Sequence, residues 1–278
     1  MDIPFGTISN LTPGMVAVLG IPWDENSSFL RGSALAPGAI RQVLRSGSGN
    51  WCCERGMDLS QISDWCDTGD LDFSGSSGRQ IFDSISVKVL QILSTGARPL
   101  LLGGDHSVTF PIVTSFAHHY SRLNLLHLDA HPDLYQDLEG NPLSHASPFA
   151  RIMEGGLANR LVQVGIRTRT PHQRQQAERY GVEAIDMLEW SPKQTLKFDG
   201  PVYLSLDMDV FDPAYAPGVS HHEPGGFTTR QVLTLLQELD CELVGADIVE
   251  FNPNRDPTGI TAALAAKLYK ELVLKLLG

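Results

Sequence analysis

Three short segments carry most of the groups in this chain that can do chemistry. They read Gly103-Gly104-Asp105-His106-Ser107, Leu128-Asp129-Ala130-His131-Pro132-Asp133 and Ser205-Leu206-Asp207-Met208-Asp209, each closing an apolar run. Together they offer the imidazoles of His106 and His131 and the carboxylates of Asp129, Asp133, Asp207 and Asp209. Converged on one spot, such groups repel strongly unless cations lie between them. The set is rich in carboxylate, poor in nitrogen and free of sulfur, which suits a pair of hard or borderline divalent ions, with Mn²⁺ the first choice. Alternate residues of an extended segment share a direction, so Asp129-Ala130-His131-Pro132-Asp133 and Asp207-Met208-Asp209 can each present ligands together. A water shared by two divalent ions is acidified toward neutral pH and becomes a hydroxide nucleophile. That is hydrolase chemistry. Any one segment alone also fits a capped turn or a solvated loop, and Gly103-Gly104 alone fits a tight strand-to-helix turn. A phosphate cradle is a poor reading, because Asp105 and His106 stand where a Lys and a hydroxyl residue belong.

These groups need a frame. Continuous apolar runs at 15–21, 98–102, 123–128, 161–166, 202–206 and 243–249 read as strands buried on both faces. Helical spacing falls at 37–45, 79–94, 108–120, 171–180, 228–239 and 257–277. Pro37, Thr228 or Thr229, and Asp256-Pro257 supply helix-start chemistry. Strand alternating with helix means an α/β fold around a mainly parallel sheet. Neither Ser46–Asn50 nor Ser74–Gly78 is long enough to divide the chain, so residues 1–278 read as one domain. His106, Asp129 and Asp207 each follow the carboxyl end of an expected strand, the edge where open α/β sheets gather ligands.

Composition narrows the partners. A formal charge of −11 over 278 residues argues against nucleic acid or an anionic membrane surface. No apolar stretch approaches the length of a membrane span. Cys52, Cys53, Cys66 and Cys241 show no CxxC spacing and are too few for a disulfide framework, so reduced thiols are expected. The start of the chain shows no basic region followed by an apolar one, and a cytoplasmic enzyme is the expectation.

With these residues in hand, the chain resembles the ureohydrolases, the family of arginase, agmatinase, guanidinobutyrase and formiminoglutamase. The resemblance covers nearly the whole chain. Beyond the three segments it includes Arg31-Gly32, Ala36-Pro37-Gly38-Ala39-Ile40-Arg41, Val210-Phe211-Asp212-Pro213, Ala216-Pro217-Gly218, Glu223-Pro224-Gly225-Gly226 and Asp247-Ile248-Val249-Glu250-Phe251-Asn252-Pro253. It implies the arginase-like fold, a three-layer α/β/α sandwich, and two Mn²⁺ per subunit, with Ni²⁺ as the other candidate. One ion would be held by His106, Asp129, Asp133 and Asp207, the other by Asp129, His131, Asp207 and Asp209. Glu250 matches the family's guanidinium-binding glutamate, and His145 the histidine that shuttles a proton near the leaving amine. Asp209 would help move the proton of the hydroxide. Asp212 and Asn252 read as residues that orient ligands or turns; His118, His119, His127 and His172 read as structural or surface residues. A homo-trimer or hexamer acting on a small guanidino substrate is implied as well.

The chain departs from the pattern at Val219-Ser220-His221-His222-Glu223, where His221 and His222 are read as candidate substrate contacts. The loop Leu134–Glu139 lacks the hydroxyl- and amide-rich run with which arginases hold an amino-acid head group, and its Asp137 and Glu139 would favour a cationic tail. Agmatine hydrolysis to putrescine and urea is therefore the leading expectation. Behind it stand guanidinobutyrase, guanidine or biguanide hydrolase, arginase and formiminoglutamase specificities, and a non-catalytic metal-binding subunit. A deacetylase on a similar fold is disfavoured, because two full metal sites plus Glu250 suit a guanidinium better than an acyl-lysine amide.

Overall fold

Apolar strands that cannot face water on either side demand cover from both sides, and the chain provides it. The computed structural model describes residues 3–192 and 194–278. Its strands are β1 (Val16–Gly20), β2 (Trp65–Asp70), β3 (Arg98–Leu102), β4 (Asn124–Leu128), β5 (Arg160–Ile166), β6 (Glu183–Asp186), β7 (Pro201–Asp207) and β8 (Glu242–Val249). All pairings are parallel, in the order β2-β1-β3-β8-β7-β4-β5-β6. The helices are α1 (Ala36–Arg45), α2 (Arg79–Leu93), α3 (Thr109–His119), α4 (Pro148–Glu154), α5 (Pro171–Tyr180), α6 (Thr229–Glu238) and α7 (Ile260–Leu277). One face of the sheet packs on Ile40 of α1, Leu236 of α6 and Leu268 and Leu272 of α7. The other packs on Ile85 of α2, Ile112 and Phe116 of α3, Phe149 of α4 and Ala177 of α5. This is the three-layer α/β/α arrangement.

Local chemistry agrees with the boundaries. Thr170 caps α5 and Thr228 caps α6, each in a capping box with the Gln three residues on, and Pro171 opens α5. Gly181, left-handed, closes α5.

Three elements escape the hydrophobic pattern, and α7 begins later than expected. β6, reading Glu-Ala-Ile-Asp, is a half-exposed edge strand. β2 reads Trp-Cys-Asp-Thr-Gly-Asp, and its buried Asp67 is compensated by Arg41, whose Nε and Nη2 donate to Oδ2 and Oδ1 at 2.6 and 2.8 Å. α4 is only seven residues long. Asp256 does not open α7 directly: its Oδ2 accepts from the N–H of Ala262 across a turn, and the helix starts after left-handed Gly259.

The register places the site. Leu102 pairs with Ile248, Ile248 with Leu206, and Leu206 with Leu128, so β3, β8, β7 and β4 end level with one another. The candidate ligands and Glu250 lie at or just beyond those four ends.

Candidate metal centre

His106 lies one turn beyond β3, and the backbone there is forced close to the chain leaving β1. A Cβ on Gly104 would sit 1.8 Å from the carbonyl oxygen of Trp23, so this position admits glycine alone. The Gly104 carbonyl accepts from Glu250 N–H at 2.8 Å, which ties the β3 and β8 ends together. Asp105 is fully buried and accepts from Asn26 N–H at 2.9 Å and from both the N–H and the hydroxyl of Ser107. Burial and the nearby Glu250 charge push its carboxyl up to about 7.

Six residues named from sequence come together at the level strand ends. The Nδ1 of His106 faces Oδ2 of Asp133 at 3.0 Å, of Asp207 at 3.1 Å and of Asp129 at 3.3 Å. None completes a hydrogen bond to it, so this buried nitrogen is left without a partner. The Nδ1 of His131 lies 2.9 Å from Oδ2 of Asp209 and 3.5 Å from Oδ1 of Asp129. Asp129 thus stands between the two imidazoles, one oxygen toward each. Asp207 sits on the His106 side, and its Oδ1 accepts from Asp209 N–H at 2.8 Å. Asp133 holds a left-handed backbone at φ 50°, as does Glu250 at φ 61°. Non-glycine residues kept there cost about 1–3 kcal/mol, a strain that clusters at functional sites.

The electrostatics call for cations. Burial and the neighbouring carboxylates Asp209 and Asp129 hold Asp207 well above the usual carboxylate range. Burial and Asp129 push Asp209 up to about 6. Burial alone would lower His106, but the three facing carboxylates outweigh it and hold the ring well above its ordinary value. The donor set, carboxylate oxygens with two imidazoles around an unpartnered buried nitrogen, fits a pair of divalent cations.

The ligand orientations are set from behind. His106 Nε2 lies 2.9 Å from Ser205 Oγ, and that hydroxyl donates to Asp247 Oδ1 at 2.7 Å. Because Ser205 spends its hydrogen on a carboxylate, it accepts from His106, and Nδ1 keeps its lone pair for an ion. Asp247 also takes the hydroxyls of Thr109 at 2.8 Å and Tyr203 at 2.7 Å. Behind Asp129 stands His127, with Nε2 2.7 Å from Asp129 Oδ2. Its Nδ1 accepts from Gln163 Nε2 at 3.0 Å, an amide nitrogen oriented by the Pro132 carbonyl at 2.7 Å. Read from sequence as structural, His127 is instead a direct partner of a candidate ligand. Its signal was spacing: His127 and Ser205 lie two residues before Asp129 and Asp207, on the same face of their strands. Asp247 and Ser28 carried no such signal.

A cavity of about 270 Å³ opens over the centre and is lined by Ser28, His131, His145, His221 and Glu250, with Thr168, Thr170 and Glu223 among its other residues. His145 and Glu250 meet there, Nδ1 to Oε1 at 3.0 Å. Burial would lower His145, but Glu250 raises it to about 9. His221 stacks on His145 with ring centres 5.1 Å apart, and burial with the His145 charge lowers its own ring below the ordinary value. His222 is exposed, its Nε2 2.7 Å from the Pro217 carbonyl, and it does not line the cavity. Asp137 and Glu139 are exposed and stand outside the lining as well; Asp137 accepts from Gly140 N–H within its own turn. Asp212 accepts from the N–H groups of Ala214 and Gly225, a turn role, while Asn252 bonds Ser220 Oγ and the Arg31 carbonyl. His118, His119 and His172 do not line the cavity, although His172 stacks on Tyr135, which does.

Residues 15–275 match the Arginase family. The chain is 45% identical to the mitochondrial arginase of Medicago truncatula over 281 aligned residues, covering 94% of this chain and 81% of that one. It is 32% identical to the agmatinase of Bacillus anthracis, covering 93% and 91%. The solved arginase of Medicago truncatula superposes with a TM-score of 0.89 at 43% identity, over 96% of this chain and 88% of that one.

Proposed function

The chain belongs to the arginase family, and from that premise we propose that it hydrolyses the guanidinium group of L-arginine to urea and ornithine, using two Mn²⁺ ions. As a family member it is a metal-dependent C–N hydrolase acting on guanidino compounds, that is, a ureohydrolase. The expectation of agmatine as substrate is set aside. The observation that carries the arginine reading is the gap between 45% identity to a named arginase and 32% to a named agmatinase, at nearly equal coverage of this chain. The residues that favoured agmatine do not help it, since Asp137 and Glu139 lie outside the cavity lining. Its lining instead has groups for both charges of an amino-acid head: the hydroxyl of Thr168 for the carboxylate and Glu223 for the ammonium.

His106, Asp129, Asp133 and Asp207 would hold one ion and Asp129, His131, Asp207 and Asp209 the other, with Asp129 and Asp207 shared. When bound, the ions acidify a shared water to supply the nucleophile. Glu250 takes the guanidinium, a charge-assisted contact that sets the carbon over the centre. His145, charged at neutral pH beside Glu250, holds the proton that the departing amine needs. Asp209, beside His131 with Oδ2 2.9 Å from its Nδ1, would take the proton released from the water. His221 covers His145 and contacts the substrate chain.

The test is urea release from L-arginine, agmatine, guanidinobutyrate and guanidine by protein loaded separately with Mn²⁺ and Ni²⁺. Arginine is expected to exceed agmatine in kcat/KM by about a hundredfold or more with Mn²⁺, the scale at which lost polar contacts discriminate. Faster turnover of agmatine would contradict the arginine reading.

A further inference from the structure

Both ring nitrogens of His145 are occupied. Nδ1 faces Glu250 Oε1 at 3.0 Å, and Nε2 lies 2.8 Å from Ser28 Oγ. A carboxylate only accepts, so Nδ1 carries a hydrogen in either charge state, and Nε2 is the nitrogen that gains and loses a proton. The His145 residue is only 8% exposed, whereas Ser28 is exposed and lines the same cavity. A serine hydroxyl can donate to a bare Nε2 and accept from a protonated one, so it serves both states without moving.

We propose that Ser28 is the relay through which His145 exchanges its Nε2 proton with the water and the amine in the cavity. In the delivering direction, Nε2 passes its proton to Ser28 Oγ as the Ser28 hydrogen passes to the acceptor in the cavity. In the reloading direction, a cavity water gives a proton to Oγ as the Ser28 hydrogen returns to Nε2. Each passage moves one proton and leaves Ser28 neutral. Ser28 takes part in proton transfer itself, between His145 Nε2 and the cavity. This rests on the role given above to His145.

The loop that carries Ser28 is built to hold it there. Asp24 Oδ2 accepts from Gly32 and Ala34 N–H at 2.7 and 3.1 Å. Asn26 donates its N–H to Asp105 and its Nδ2 to Ser107, while its carbonyl accepts His145 N–H at 3.2 Å. None of these bonds uses the Ser28 side chain, so Ser28→Ala removes the hydroxyl and leaves the loop anchored.

The experiment compares the Mn²⁺-loaded parent, Ser28→Ala, Ser28→Thr and His145→Gln on the best substrate of the parent. kcat is read against imidazole concentration at fixed pH, ionic strength and excess Mn²⁺. Ser28→Ala should lose about tenfold in kcat, a part of the 10²–10⁴-fold that a positioned acid–base group supplies, with KM nearly unchanged. Imidazole should restore that loss saturably, leave the parent unmoved and fail to restore Ser28→Ala once His145 is also Gln. Ser28→Thr, which keeps the hydroxyl, should stay near the parent. A Ser28→Ala enzyme at parent kcat, or a loss that imidazole does not restore, overturns the relay and leaves the role of His145 standing. A His145→Gln enzyme at parent kcat overturns that role and the relay with it.

Discussion

Oε1 of Glu250 accepts two hydrogen bonds at once, from His145 Nδ1 at 3.0 Å and from the backbone N–H of His106 at 2.9 Å. One carboxylate oxygen therefore joins His145, the proposed proton donor, to the loop that carries the candidate ligand His106, and the left-handed backbone at residue 250 is held by that double tie. Oε2 makes no hydrogen bond to protein among the described residues, which leaves it for the proposed guanidinium contact. Glu250→Gln keeps the shape and removes the charge. It should cost about 2–4 kcal/mol in kcat/KM, or about 30- to 1,000-fold, with metal content unchanged. Steady-state urea release and metal analysis of the same sample check both parts.

The His145–Glu250 pair also makes stability depend on pH. Its folded-state proton affinity, raised to about 9 from an ordinary 6.5, means the pair stabilises the fold fully below about pH 6.5 and loses that contribution as pH rises through 9. The contribution is at most about 3 kcal/mol. In metal-free protein, the gap in unfolding free energy between parent and His145→Gln should shrink steadily from pH 6.5 to 9.5 in denaturant titrations. A constant gap would show that the pair is not ionised as described.

Asp129 faces both histidines, whereas Asp133 faces His106 alone. Asp129→Asn should reduce bound Mn²⁺ below one per chain, and Asp133→Asn should leave close to one. Elemental analysis after dialysis at limiting free metal measures this. Stripping the metal from the parent should also lower its thermal midpoint, since a ligand at about 1,000 times its Kd stabilises the folded state by about 4 kcal/mol.

Ser205→Ala should leave the fold intact, because the hydroxyl is replaced by a smaller apolar group, but it frees His106 to turn. Mn²⁺ affinity on that side should fall about 10- to 100-fold, the usual cost of losing a group that orients a ligand. Competition titration with a metal-sensitive dye reads it. Unchanged affinity would mean that the Ser205–Asp247 chain does not orient His106.

Much of this centre was legible because its chemistry is local in sequence. Asp129, His131 and Asp133, then Asp207 and Asp209, each fall within five residues, at the ends of strands whose Leu-rich apolar runs mark them as buried. What joins those ends is register across β3, β8, β7 and β4, which the positions of the strands imply without fixing their order. Residues that act through long-range contacts were harder to see. Ser28 meets His145 across 117 positions, and Ser205 meets Asp247 across 42. The acidic loop at Asp137 and Glu139 misled for the same reason, since composition cannot say which way a loop turns its charges. β2 and β6 went unseen because edge strands with polar residues break the apolar pattern.

Anomalous diffraction at the manganese edge, from crystals grown with Mn²⁺, tests the centre most directly. Two peaks are expected, one within coordinating distance of His106 Nδ1 and Asp133, the other of His131 Nδ1 and Asp209, with Asp129 and Asp207 reaching both. One peak alone, or peaks away from these residues, would contradict a two-cation site at the ends of β3, β4 and β7.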